Sequence, residues 1–103
     1  MDFTELAQKI GLEDDEFLEL VELFMETCAS DISRLQVAID QGDTQQVVEA
    51  AHSIKGASAN LGFMEISSVA KEMEQNARDD SLDGAAEAVE TIKKGLDLIK
   101  EKL

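Results

Sequence analysis

The segment AHSIKGASANLGF, from Ala51 to Phe63, holds His52, the one histidine in a chain of 103 residues. Lys55 follows three positions later and Gly56 four. On a helix those offsets put all three on one face. An imidazole is a nucleophile, an ammonium at i+3 can hold an anion that reaches it, and a residue without a side chain leaves room for that anion. The glycine is the informative member, because inside a helix it costs about 1 kcal/mol relative to alanine. Something must offset that cost, and bare space beside the ring is a physical candidate. The plainer alternative is that His52 is an ordinary surface residue.

The elements that would carry these residues can be read from apolar spacing. Phe3, Leu6 and Ile10 form a short stripe closed by Gly11. Asp14 and Asp15 offer an N-cap for a long helix over Asp15 to Asp40, with Phe17, Val21, Phe24, Cys28, Ile32, Leu35 and Ile39 at steps of three and four. Asp43 can cap a third helix whose inward residues are Val47, Ala51, Ile54, Ser58 and Leu61, stopped by Gly62. Ile66, Val69, Ala70, Met73 and Ala77 mark a fourth. Ser81 stands as the cap of a fifth, with the stripe Leu82, Ala85, Val89, Ile92, Leu96, Ile99 and Leu103. Four long amphipathic helices with short polar turns imply an all-α, antiparallel up-down four-helix bundle in one domain over 1–103, with a short extra N-terminal helix across one end. Stepped at 100° per residue, His52 lies roughly 140° from the middle of its helix's core stripe and faces water. Val48, Lys55, Gly56 and Ala59 are its neighbours there.

Composition narrows the partners. Nine Lys and Arg against 23 Asp and Glu give a net charge of −14, which repels nucleic acid and anionic lipid and favours a monomer. No apolar run approaches the length of a membrane span, and the acidic N-terminus lacks the regions of a signal peptide. The single Cys28 cannot form an internal disulfide and suits a reducing compartment, so a cytoplasmic location is expected.

At Ala51, His52, Ile54, Lys55, Gly56, Ser58, Leu61 and Gly62 the chain resembles the histidine-containing phosphotransfer (HPt) domains of two-component phosphorelays. The likeness extends over nearly the whole chain, and His52-Ser53-Ile54-Lys55-Gly56 is also similar to the phosphotransfer domains of chemotaxis kinases. The resemblance implies that His52 accepts a phosphoryl group from an aspartyl phosphate or a kinase domain and passes it to a receiver-domain aspartate. Lys55 would then steady the phosphate and Gly56 leave space for it. Counting along the motif, Glu74 takes the position where family members carry a Gln or Glu that approaches the imidazole, the carboxylate being the version of the chemotaxis kinases. The wheel sets Glu74 about 85° from its own core stripe, on a flank. If Glu74 accepts from Nδ1–H, then Nε2 is the nucleophile, by the logic of the orienting carboxylate in a catalytic triad. The chain has no Gly-rich loop with a phosphate-gripping lysine and so is expected to be a phosphocarrier without its own ATP site, not an enzyme. No cofactor of its own is expected, and Mg²⁺ should come with the partner receiver. Leu18, Leu23 and Met25 fall off the core stripe. With Val48 and Ala59 they are candidates for docking, or else partly buried edge residues.

Two other functions fit parts of the chain. Asp79, Ser81, Asp83, Gly84, Glu87 and Glu90 have the spacing of an EF-hand calcium loop. Leu82, Ala85 and Val89 already belong to a regular stripe that such a loop would interrupt, and Ser81 as an N-cap explains the same residues. A bundle that merely scaffolds a partner would be indifferent to His52. Catalysis by a Cys–His pair is disfavoured, because Cys28 sits in the core stripe of another helix. A kinase dimerisation helix would carry an acidic residue, not Ser53, directly after the histidine.

Overall fold

Helices begin where backbone donors find partners and end where a residue can turn left-handed, and both signals recur along this chain. The computed structural model describes residues 2–103 and is all-α, with α1 (Phe3–Lys9), α2 (Asp14–Gln41), α3 (Thr44–Leu61), α4 (Met64–Arg78) and α5 (Ala85–Glu101). Among the described residues there is no strand. Asp2 caps α1 by accepting from the Glu5 N–H at 3.2 Å, and Asp43 caps α3 by accepting from Gln46 N–H at 3.1 Å. Gly42 (φ 68°) and Gly62 (φ 85°) end α2 and α3 in the left-handed region that glycine enters without steric penalty.

Two expected caps are corrected. Glu13, not Asp14 or Asp15, is the N-cap of α2, and its N–H donates to the Glu16 carboxylate at 3.1 Å. Asp14 and Asp15 lie in the first turn, where their charge still favours the positive end of the helix dipole. Ser81 does not cap α5. Asp80 (φ 64°) and Gly84 (φ 76°) both turn left-handed, Ser81 Oγ accepts from Asp83 N–H at 3.3 Å, and the helix starts only at Ala85. Leu82 therefore packs from the turn instead of from the helix, and Leu103 lies past the helix end and is exposed.

The stripes bury as their spacing requires. Phe17, Val21, Cys28, Leu35, Val47, Ala51, Ile54, Ile92 and Ile99 are fully or almost fully enclosed. All four phenylalanines meet at one end. Phe63, from the α3–α4 turn, stands 5.3 Å from Phe24, 6.2 Å from Phe3 and 6.3 Å from Phe17 between ring centroids, which seats α1 against α2. At 1.5 Å per residue α2 runs about 42 Å, the long axis of a molecule measuring 41 × 20 × 17 Å. α3 lies between α2 and α4 and packs most extensively against α4. That last fact governs the site.

Candidate functional site

His52 projects from the middle of α3, its side chain 63% exposed. One ring nitrogen is engaged: Nδ1 lies 2.9 Å from Glu74 Oε2 on α4. Among the described residues nothing bonds Nε2, which points the free nitrogen at solvent.

Glu74 is the hub. The Lys55 ammonium reaches its Oε1 at 2.8 Å, and the Arg78 guanidinium, one turn along α4, donates from Nη2 to Oε2 at 2.9 Å. The carboxylate thus takes three donors from two helices while being only 3% exposed. This differs from the flank position read from the helical wheel. The wheel centred α4 on its apolar residues, but the face turned to α3 also contains Ser67 and Glu74, and the close α3–α4 packing buries both. Burial by itself would raise the Glu74 carboxyl. The hydrogen bonds from Lys55, Arg78 and His52, with the charge of Lys55, outweigh it and hold the group down at about 2. Glu74 is therefore ionised at neutral pH and can only accept.

Lys55 is tied to Glu74, with its side chain 30% exposed, and so begins on the carboxylate beside the ring. Gly56 is exposed, and a Cβ built on it would meet nothing within 4 Å. No packing contact demands glycine there. The backbone behind the site is held by hydroxyls: Ser58 Oγ donates to Ile54 O at 2.6 Å and lies 3.1 Å from Lys55 O, and Ser67 Oγ on α4 donates to Lys55 O at 3.1 Å. On the other side, Ser53 Oγ donates to the buried Asp31 carboxylate of α2 at 2.6 Å. The helix carrying His52 is pinned to both neighbours within one turn of the ring.

Three residues of this network, Arg78, Ser67 and Asp31, escaped the sequence reading. Arg78 alone had a visible signal, its i+4 spacing from Glu74. Of the docking candidates, Leu18 and Leu23 are 37% and 59% exposed and Ala59 is exposed, whereas Met25 and Val48 are half-buried and pack on the core. Leu20, at 41% exposed, joins the first group. Cys28 is enclosed, and burial together with the nearby Asp31 charge pushes its thiol up to about 12, so it is no nucleophile. The EF-hand spacing is not realised: Glu87 and Glu90 leave on α5, and among the described residues no cluster of three or more His, Cys, Asp or Glu is placed to hold a metal.

An all-helical chain that presents one free imidazole nitrogen on its surface, with a carboxylate fixing the other, has the architecture of a phosphoryl carrier. The chain belongs to the Hpt domain family, whose model matches residues 19–102. It is similar to the crystal structure of histidine-containing phosphotransfer protein B (HptB) from Pseudomonas aeruginosa PAO1, with a TM-score of 0.84 and 28% identity over 96% of this chain and 86% of that one. No curated protein matches the sequence. The chain's role is phosphotransfer in a phosphorelay, the kind of relay in which Hpt proteins interact with receiver domains and kinases.

Proposed function

We propose that His52 is the residue that carries the phosphoryl group, on Nε2, between a phospho-donor and a receiver-domain aspartate. The observation that carries this reading is the division of labour between the two ring nitrogens, Nδ1 held at 2.9 Å by an ionised carboxylate and Nε2 open to solvent. With Glu74 unable to donate, the ring proton stays on Nδ1 and the lone pair on Nε2. That pair forms a bond to the phosphorus of an aspartyl phosphate as the P–O bond to the aspartate breaks, and the aspartate leaves as carboxylate. The ring then carries a formal positive charge, which the Glu74 carboxylate offsets across the Nδ1–H bond, as the triad carboxylate does for its imidazolium.

Lys55 lies 2.8 Å from Glu74 Oε1, close enough for its ammonium to shift towards phosphoryl oxygens beside the ring. Gly56 leaves the approach clear, which supplies the reason a helix interior tolerates it. Transfer of this kind runs through a loose transition state and depends on alignment and charge placement, so Mg²⁺ is proposed to come with the receiver. The chain itself is proposed to work as a monomer without using ATP. An antiparallel up-down arrangement of α2–α5 is the finer fold proposal. For α2–α4 it is supported by pairs equidistant from their turns, Asp31 with Ser53 across Gly42 and His52 with Glu74 across Phe63.

Incubation with a phosphorylated receiver domain tests the reading. The wild type should gain acid-labile, alkali-stable phosphate and His52→Gln should gain none. Labelling of the variant to the wild-type level would remove His52 from the reaction.

A further inference from the structure

We propose that Arg78 is a positioning residue for this transfer. It keeps Glu74 ionised and in place, so that Lys55 is free to leave the carboxylate and follow the phosphoryl group. The inference rests on the reading of His52 and Lys55 given above and adds to it a residue with no part in that scheme.

The two cations divide the carboxylate between them. Lys55 takes Oε1 at 2.8 Å, whereas Arg78 takes Oε2 at 2.9 Å, the same oxygen that accepts from His52 Nδ1 at 2.9 Å. Lys55 stands on α3 next to Gly56 and within one turn of the ring, beside the open space that a phosphoryl group on Nε2 would use. Its ammonium therefore serves two anions in turn. Arg78 shares α4 with Glu74 at i+4, and its contact is intrahelical and independent of anything bound at Nε2.

The need for a second cation follows from burial. A carboxylate only 3% exposed and stripped of its charged partners tends to take up a proton. A protonated Glu74 becomes a donor towards Nδ1. Nδ1 then keeps its lone pair, the ring proton moves to Nε2, and the nucleophile is lost. Were Lys55 the only cation, its departure towards phosphate would invite that switch at the moment of transfer. Arg78 prevents it. Its planar guanidinium cannot be deprotonated in this range, so it remains charged whatever Lys55 does.

The test separates positioning from a surface ion pair by reading the tautomer. Long-range ¹⁵N–¹H NMR of His52 gives the shares of Nδ1–H and Nε2–H, and the Glu74 ¹³Cδ shift reports its ionisation. Both are recorded at pH 7 for the wild type, Arg78→Gln, Lys55→Gln, the double variant and Arg78→Lys. Because ion pairs with an exposed partner are weak, Arg78→Gln alone should raise the Nε2–H share roughly threefold. In the Lys55→Gln background the same change should raise it about tenfold and move the ¹³Cδ shift towards the protonated form. Arg78→Lys should restore the wild-type pattern. An Arg78→Gln change that leaves tautomer and ¹³Cδ unaltered in both backgrounds would overturn the proposal. Labelling by phosphoramidate, in which the donor's P–N bond breaks, the Nε2–P bond forms and ammonia departs, is run on the wild type alongside. If it places no phosphate on His52, the carrier reading fails, while the tautomer result still decides the role of Arg78.

Discussion

Glu74 is the residue on which the chemistry at His52 turns, because it decides which ring nitrogen is free. Replacing it with alanine removes the acceptor for Nδ1–H and leaves Lys55 and Arg78 without their shared partner. Loss of an orienting outer partner typically costs about 10- to 100-fold, so phosphoryl uptake by Glu74→Ala should fall within that range. Glu74→Gln retains a carbonyl acceptor and should lose less. Initial rates with a phosphorylated receiver check both, and a Glu74→Ala rate equal to wild type would refute the orienting role. The same carboxylate sets an acid limit on stability. Its folded value of about 2 lies below the ordinary 4.5, so its contribution is complete above pH 4.5 and is lost as pH falls towards 2. That contribution is on the order of 3 kcal/mol as an upper bound, since two of its three partners are exposed. Urea unfolding at pH 7 and pH 2.5 should show a smaller acid loss for Glu74→Gln than for the wild type. Equal losses would mean that the ion network adds no stability.

At the scale of helices, two glycines inside helices have opposite reasons for being there. A Cβ at Gly56 meets nothing, whereas one at Gly95 in α5 would meet Ile66 Cγ1 of α4 at 2.9 Å. Gly56→Ala should therefore stabilise the fold by up to about 1 kcal/mol through helix propensity alone. It should leave transfer slower, and a bulkier residue there slower still. Gly95→Ala gains the same propensity but forces α4 and α5 apart, and overpacking of about 1–3 kcal/mol should leave it at or below wild-type stability. Thermal melts of the two variants compare these directly. If both are stabilised, Gly95 is not a packing glycine, and if Gly56→Ala transfers at the wild-type rate, the space beside His52 is not what the glycine supplies. The helices were legible because apolar residues at steps of three and four fall on one side of a cylinder, and the outward direction of His52 followed from the same geometry. The start of α5 was not legible. It depends on Asp80 adopting a left-handed backbone, which no spacing reveals, and this moved the N-cap from Ser81 to Gly84. The burial of Glu74 was hidden for a related reason, since a wheel gives a direction on one helix but not which neighbour packs closest to it.

For the whole molecule, a net charge of −14 is spread over a thin rod on which Leu18, Leu20 and Leu23 stand exposed among acidic neighbours on α2. The sequence singled out Leu18 and Leu23 because they fall off the core stripe. It overlooked Leu20 and could not separate the exposed pair from Met25, whose flexible side chain folds back onto the core. If Leu23 helps dock a receiver, Leu23→Ala should weaken receiver binding roughly fivefold with no change in fold. Titration calorimetry measures this, and an unchanged affinity would assign docking elsewhere. The chemistry of the whole molecule converges on one atom, Nε2 of His52. The most direct measurement is ³¹P–¹⁵N correlation NMR of the chain after incubation with a phosphorylated receiver, with the imidazole ring isotopically labelled. The account predicts a single phosphorus–nitrogen coupling at Nε2 of His52, with Nδ1 still protonated. Coupling at Nδ1, or phosphate on any other side chain, would contradict it.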